Sequence, residues 1–241
     1  FAESNPISDL NGVDAQAKIR ILSSLAFNKK ISKSKMLTEG IQNINLTDIY
    51  NTKKLGYKIK LLAISEIKKN KLIERVHPCL VPDSSYIANI NGVLNAIIVD
   101  GKPSGRSVIQ GEGAGPGSTS SGLISDLCSV LRGNIKYPFG VSSYLRKESI
   151  KFNILEHVSS SYLRITVKDL PGVLSSVTQI FRKNKISIKN LIQVPERKNK
   201  KASIAIITHE SVEKNFQGLL LDLTKNKFVL KKPTFIRIEK V

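Results

Sequence analysis

The order of apolar segments after residue 160 constrains the fold of this 241-residue chain most strongly. Short runs with strand-like composition alternate there with stretches whose apolar residues recur at helical spacing. The predicted order is strand, helix, strand, strand, helix and strand, at residues 162–167, 173–183, 186–194, 202–208, 212–224 and 228–239. This order is typical of a split βαβ, ferredoxin-like unit with the pattern βαββαβ.

The preceding part of the chain has a different pattern. It predicts three helices, two single strands and one hairpin, with Pro78 ending the second strand. The helices fall at 14–27, 47–55 and 123–131, the single strands at 59–64 and 72–77, and the hairpin strands at 93–99 and 107–110. The polar stretch 146–161 separates the two patterns, so we predict domains at 1–150 and 160–241. The predicted fold class is α/β (α+β), with a mixed sheet covered by helices in the first domain.

Charge and composition exclude several classes of protein. The net charge of +19, from 38 Lys plus Arg and 19 Asp plus Glu, is spread over both halves of the chain, which argues against a dedicated nucleic-acid-binding arm. The densest basic run, 197–201, lies between two predicted strands and is interpreted as a hairpin tip. No apolar run approaches the ~18 residues that a membrane span needs. We therefore expect neither a membrane nor a nucleic-acid partner.

Cysteine and histidine usage predicts a reduced, cytoplasmic protein without a metal site. Two cysteines far apart, Cys79 and Cys128, form no disulfide framework and no CxxC pair, and we interpret both as packing residues. The three histidines, His77, His157 and His209, share no ligand spacing.

Three carboxylates and a lysine lie close together near the start of the chain: Glu3, Asp9, Asp14 and Lys18. Asp14 and Lys18 stand four residues apart on a predicted helix, so they share a face. Taken alone, this spacing favours an exposed ion pair. The turn pairs 5–6 and 11–12 could instead fold the four groups into one site.

The glycine-rich segment 111–119 connects a predicted strand to a predicted helix. Its spacing matches neither the G-x-G-x-x-G fingerprint of dinucleotide binding nor a P-loop, so spacing alone favours a tight structural turn.

Ala2, Asn5-Pro6, Asp9-Leu10, Gly12, Asp14 and Lys18 together resemble the signature of homoserine dehydrogenases, and the similarity continues at 75–78, 91–96 and 111–126. This resemblance implies NAD(P)H-dependent reduction of L-aspartate 4-semialdehyde to L-homoserine, in the biosynthesis of threonine, methionine and isoleucine. It implies that Lys18 donates the proton, that Glu3 and Asp14 bind substrate with support from Asp9, and that Gly113 and Gly115 contact NADP or NAD through backbone atoms.

Residues 162–174, with 186–188 and Gln193, resemble an ACT domain. The resemblance implies an amino-acid effector, threonine, held near Asp169 and Gly172, where exposed helix N-terminal amides suit a carboxylate. A module that only dimerises remains the alternative. In either case the resemblance favours a homo-oligomer.

In the resembled family a nucleotide-binding domain precedes the substrate domain. Residues 1–241 contain no dinucleotide fingerprint, begin at Phe1 without a signal peptide, and are interpreted as a fragment. We expect these residues alone to bind cofactor weakly and to be inactive. Two other functions stay open: a non-catalytic amino-acid-binding regulatory protein and a basic nucleic-acid-binding protein.

Overall fold

The computed structural model describes residues 5–134, 137, 139–196 and 200–241, and no helix within them has the length and apolar character needed to cross a bilayer. The helices are α1 (Ile7–Leu10), α2 (Val13–Phe27), α3 (Leu46–Lys54), α4 (Pro116–Leu131), α5 (Val173–Lys183) and α6 (Glu213–Lys225). The strands are β1 (Leu37–Thr38), β2 (Tyr57–Lys68), β3 (Lys71–Pro82), β4 (Leu94–Gly101), β5 (Gly105–Glu112), β6 (Ile150–Lys151), β7 (Val158–Lys168), β8 (Ile188–Glu196), β9 (Lys201–Thr208), β10 (Ser211–Val212) and β11 (Thr234–Ile238). The predicted α/β class with a mixed sheet is confirmed.

One sheet runs through both halves of the chain and contains nine strands in the described residues. The long strand β3 pairs antiparallel with β2 along one side. Its other side takes three short parallel partners in turn: β6, β1 and β11. Because β11 also pairs with β7, the last strand of the chain joins the C-terminal strands to the N-terminal sheet.

The C-terminal part has the predicted βαββαβ arrangement. Its strands lie in the order β11, β7, β9 and β8, each antiparallel to its neighbour, and α5 and α6 supply the helices. Val173, Val177 and Phe181 recur every four residues, so they line one face of α5 and are buried. They pack in one apolar cluster with Leu219 and Leu223 of α6.

A second apolar cluster joins α3 to the same sheet. Leu80 of β3, Tyr162 of β7 and Ile236 of β11 are buried in it, and Leu55 packs against them from the end of α3. Asn45 and Asp48 form a capping box that satisfies backbone amides at the start of α3. Helix α3 and the C-terminal strands therefore share one core.

Several predicted boundaries were wrong. Strand β2 continues past the predicted end at 64 to Lys68, and β7 begins at Val158 rather than at 162. Pro78 does not end its strand. On the side of β3 that takes the parallel partners, β1 pairs up to Val76 and β11 pairs from Cys79. No parallel partner therefore lies opposite Pro78, whose nitrogen carries no hydrogen to donate. The last strand is shorter than predicted, because Val229 forms only an isolated bridge and Pro233 lacks an amide just before β11 begins. Helix α4 begins at Pro116, well before the apolar run. The predicted hairpin tip at 197–201 falls largely outside the described residues.

The hairpin β4–β5 and helix α4 are the most exposed elements of the described chain. The predicted hairpin is confirmed, and its strands pair with each other from Leu94–Glu112 to Gly101–Gly105. No described residue of α4 is buried, and Leu123, Ile124, Leu127 and Leu131 are more than half exposed. An apolar helix face of this kind is typical of a surface that another part of a protein covers.

Candidate active site

A polar cavity of about 430 Å³ brings together most of the residues that the sequence singled out. Its lining consists of Asp9, Asp14, Lys18, Gly92, Val93, Asn95, Gly113 and Ala114. Asp9 lies on α1, and Asp14 and Lys18 lie on α2. The other lining residues lie just before β4, on β4 itself and in the loop after β5. Glu3 lies outside the described residues.

The turn between α1 and α2 places Asp9 and Asp14 on the same cavity. Asn11 accepts a hydrogen bond from the amide of Val13 at 3.1 Å, which closes the turn. Gly12 has a φ of +81°, and a Cβ atom there would lie 3.1 Å from Val76 of β3. Only glycine adopts this backbone geometry without strain so close to a strand, so the turn can sit directly against the sheet.

Lys18 and Asp14 form the ion pair that their spacing predicted. Lys18 Nζ lies 2.7 Å from Asp14 Oδ2, with 63% and 41% of the two side chains exposed. An exposed pair of this kind contributes little to stability. Its position in a cavity with a second carboxylate, Asp9, favours the alternative that these groups form a site. An ammonium donor and two carboxylate acceptors can together hold a polar amino-acid-like molecule.

The glycine-rich loop forms the opposite wall of the cavity. Gly113 donates its amide to the carbonyl oxygen of Val93 at 3.2 Å, and a Cβ atom on Gly113 would collide with the side-chain amide of Asn95. Gly115, with a φ of +121°, directly precedes Pro116 at the start of α4. The loop is therefore a tight strand-to-helix connection whose backbone also lines the cavity.

Gly92, Val93 and Asn95 also line the cavity; they were not among the site residues predicted from the sequence, although the resemblance included them. The signal that could have found them is the turn pair Asn91-Gly92, because Gly92 has a φ of +66° and directs the chain into β4.

A second cluster of reactive side chains lies where β3 pairs with β11, with His77 and Cys79 buried and Glu239 partly buried. Cys79 Sγ lies 3.2 Å from His77 Nδ1, and potential metal-donor atoms of His77, Cys79 and Glu239 lie within 4.8 Å of one another. Both oxygens of Glu239 accept hydrogen bonds from Arg75, at 3.1 and 3.2 Å. Burial lowers the pKa of His77 and raises the pKa of the Cys79 thiol. The cluster was not predicted from the sequence, because Glu239 is distant along the chain from His77 and Cys79. That the chain holds no metal stays a prediction.

The predicted effector residues lie in the turn between β7 and α5. Gly172, with a φ of +84°, directly precedes the first residue of α5, and Asp169 donates its amide to the carbonyl oxygen of Lys200 at 2.8 Å. Both residues are exposed. The turn thus presents the N-terminal end of an 11-residue helix to solvent.

Two families of known proteins match the two parts of the chain separately. The sequence model of homoserine dehydrogenases matches residues 1–128, and that of the ACT domain matches residues 161–227. Homoserine dehydrogenases of Neisseria gonorrhoeae and Helicobacter pylori are 34% and 33% identical to this chain, each over 99% of it and 56% of the relative. A crystal structure of a homoserine dehydrogenase from Thiobacillus denitrificans superposes with a TM-score of 0.85 at 31% identity, over 99% of this chain and 56% of that one.

The chain thus spans about 56% of the length of the curated relatives it matches. The family match covers more than half of its residues and includes the whole lining of the Lys18 cavity. The chain belongs to the homoserine dehydrogenase family and carries an ACT domain in its C-terminal part.

Proposed function

We propose that the protein containing this chain reduces L-aspartate 4-semialdehyde to L-homoserine with NAD(P)H. The observation that carries this proposal is the Lys18–Asp14 pair, which faces one cavity with Asp9 inside the segment matched by the family. The family membership supports the same reaction.

The cavity residues suit the two polar ends of this substrate. Lys18 Nζ can donate a hydrogen bond and then a proton to the aldehyde oxygen as negative charge develops there. The carboxylates of Asp14 and Asp9 can accept hydrogen bonds from the substrate ammonium, and we propose the same role for Glu3. Asp14 also holds the Lys18 ammonium in place at 2.7 Å.

The glycine-rich loop suits a nicotinamide cofactor. The side chains at residues 113–115 are absent or a single methyl group, so backbone amides can approach a ligand closely. The N-terminal end of α4, which follows this loop, favours negative charge. We propose that Gly113 and Gly115 contact NADP or NAD, which when bound supplies the hydride.

Substituting Lys18→Ala in the full-length enzyme tests the catalytic assignment. We expect kcat for semialdehyde reduction to fall about 10²–10⁴-fold, because the reaction loses its proton donor. Lys183→Ala is the matched control, since it removes an exposed lysine that is also paired with an aspartate, Asp222, at 3.0 Å. A Lys18→Ala rate within a few-fold of wild type would overturn the assignment.

We further propose that cofactor binding needs more than these 241 residues. The expected result for residues 1–241 alone, mixed with NADPH and semialdehyde, is no turnover above background. Robust turnover by this segment would contradict the proposal, whereas amino-acid binding without activity in the full-length protein would favour the alternative of a non-catalytic regulatory protein.

The ACT domain is proposed to bind threonine at the turn between β7 and α5. Calorimetric titration of the protein with threonine should give saturable binding that Asp169→Asn weakens, while methionine serves as the control ligand. Equal binding of Asp169→Asn and wild type would remove Asp169 from the site.

The exposed apolar face of α4 supports the proposal that the protein forms a homo-oligomer, which light scattering during gel filtration tests directly.

A further inference from the structure

We propose that Arg237, in the last strand of the chain, positions the substrate site through its ion pair with Glu39. This ion pair tethers the short segment around Glu39, which contacts the helices that carry Asp9 and Asp14. This inference rests on the proposed function of the Lys18 cavity. Arg237 does not line that cavity, so it acts as a positioning residue rather than a catalytic one.

Arg237 holds two carboxylates from distant parts of the chain. Its side chain is only 2% exposed. Nε and Nη2 donate to the two oxygens of Glu213, at 3.0 and 2.6 Å, and Nη1 donates to Glu39 Oε2 at 2.8 Å. Burial disfavours the charge of Arg237, but these carboxylates raise its pKa above the usual arginine value. Glu213 is the first residue of α6, so one guanidinium links that helix to Glu39.

Glu39 belongs to a short segment, residues 37–41, that we call the strap. The strap begins with β1, and the amide of Glu39 donates to the carbonyl oxygen of Val76 in β3 at 2.8 Å. The amide of Ile41 donates to the carbonyl oxygen of Leu10 at 2.9 Å. A Cβ atom on Gly40 would collide with that same carbonyl oxygen, so the strap lies directly against the end of α1.

The strap also contacts the turn and helix that carry the site. The carbonyl oxygen of Glu39 would lie 3.4 Å from a Cβ atom on Gly12, and Thr38 Oγ1 donates to the side chain of Gln16 at 3.0 Å. Asp9 directly precedes Leu10, and Asp14 follows Gly12 by two residues. A displacement of the strap therefore moves both cavity carboxylates.

The two sides of the tether differ in strength. Glu213 is almost fully buried, with 4% of its side chain exposed, whereas Glu39 is 40% exposed. If Glu39 loses its charge, Arg237 keeps the buried pair with Glu213, and the sheet and α6 stay anchored. The strap alone loses an ion pair, because a neutral side chain at residue 39 attracts the buried guanidinium of Arg237 less strongly than a carboxylate does.

The test compares Glu39→Gln with Glu66→Gln. Glu66 is the matched control, because it is 43% exposed and pairs at 2.9 Å with another buried arginine, Arg75, but it lies on β2 rather than on the strap. Hydrogen exchange of the amides at residues 10–16 and the kcat and KM of the full-length enzyme are measured for both variants.

For Glu39→Gln we expect exchange at residues 10–16 about five- to fifty-fold faster, and KM for the aldehyde raised by a similar factor with a smaller change in kcat. Glu66→Gln should leave the exchange and KM unchanged. Arg237→Lys keeps the charge but has no planar fork for two carboxylates, so it should shift KM in the same direction as Glu39→Gln.

Equal exchange in Glu39→Gln and Glu66→Gln would overturn the proposal, and so would faster exchange with unchanged KM in an active enzyme. If the wild-type protein reduces no semialdehyde, the proposed function fails, while the exchange comparison still decides whether the tether exists.

Discussion

Replacing Asp48 with alanine removes the carboxylate on which the N-terminal half and the ACT domain meet. Asp48 is fully buried and accepts hydrogen bonds from Arg164 Nε at 2.6 Å, Arg164 Nη2 at 3.1 Å and the Tyr162 hydroxyl at 3.1 Å. It also accepts the amide of Asn45 at 3.1 Å in the capping box of α3. One substitution therefore affects both a helix end and an ion pair between distant segments.

The expected cost follows from the burial of the partner. Only 13% of the Arg164 side chain is exposed, so without Asp48 a positive charge that is largely out of water loses a doubly hydrogen-bonded carboxylate, although Nη2 keeps its bond to Thr234 Oγ1 at 2.8 Å. Breaking a buried pair in this way typically costs about 3–5 kcal/mol. We expect Asp48→Ala to lower the free energy of unfolding by about 4 kcal/mol, which is close to a thousandfold change in the folding equilibrium.

Urea unfolding followed by far-UV circular dichroism measures this loss, since the chain has no tryptophan to report by fluorescence. Asp100→Ala is the matched control: Asp100 and Arg106 also form a doubly hydrogen-bonded pair, at 2.7 and 2.9 Å, but both side chains are at least half exposed. Its unfolding midpoint should stay at the wild-type value. A loss below about 1 kcal/mol for Asp48→Ala would refute the argument that burial sets the cost.

Two further predictions concern pH and the glycine-rich loop. Burial and the charge of Arg75 lower the pKa of His157 to about 4, so as the pH falls the unfolded chain takes up a proton at a higher pH than the folded chain. The free energy of unfolding should therefore fall by up to about 3 kcal/mol from pH 7 to pH 4. His157→Gln should flatten this dependence in melting curves recorded across that pH range. Gly113→Ala should lower kcat/KM at least tenfold, because the new Cβ atom would collide with the side chain of Asn95. Gly122→Ala should leave kcat/KM unchanged, since its Cβ atom meets no described atom within 4 Å. Equal values of kcat/KM for the two variants in steady-state assays would show that the contact between Gly113 and Asn95 is unimportant.

Patterns within a few residues of sequence correctly predicted the bounds of helix α5 and strand β9, which depend on the turn residues before them and on their own apolar repeats. Helix α5 begins and ends at the predicted residues, because Pro171-Gly172 precedes it and its apolar residues repeat every four positions. Strand β9 was predicted to within one residue. The Lys18–Asp14 pair was also predicted, since four residues on a helix bring two side chains to one face.

Boundaries that depend on neighbouring strands were missed. The continuation of β3 through Pro78 depends on a gap between β1 and β11 along one of its edges, and no local pattern reports which strands will lie there. The glycine- and serine-rich first turns of α4 have weak helix propensity, so the apolar run alone marked the helix in the sequence.

The sequence alone determined the ACT domain, the spacing that pairs Asp14 with Lys18, and the family to which the chain belongs. Tertiary structure decided which charges meet: Arg237 pairs with Glu39 across 198 positions of sequence, and Arg164 pairs with Asp48 across 116. Helical and strand periodicity constrains side chains only over a few residues. Pairing over longer distances is set when β11 takes its place between β3 and β7, because sheet order and register then bring these buried charges to their partners.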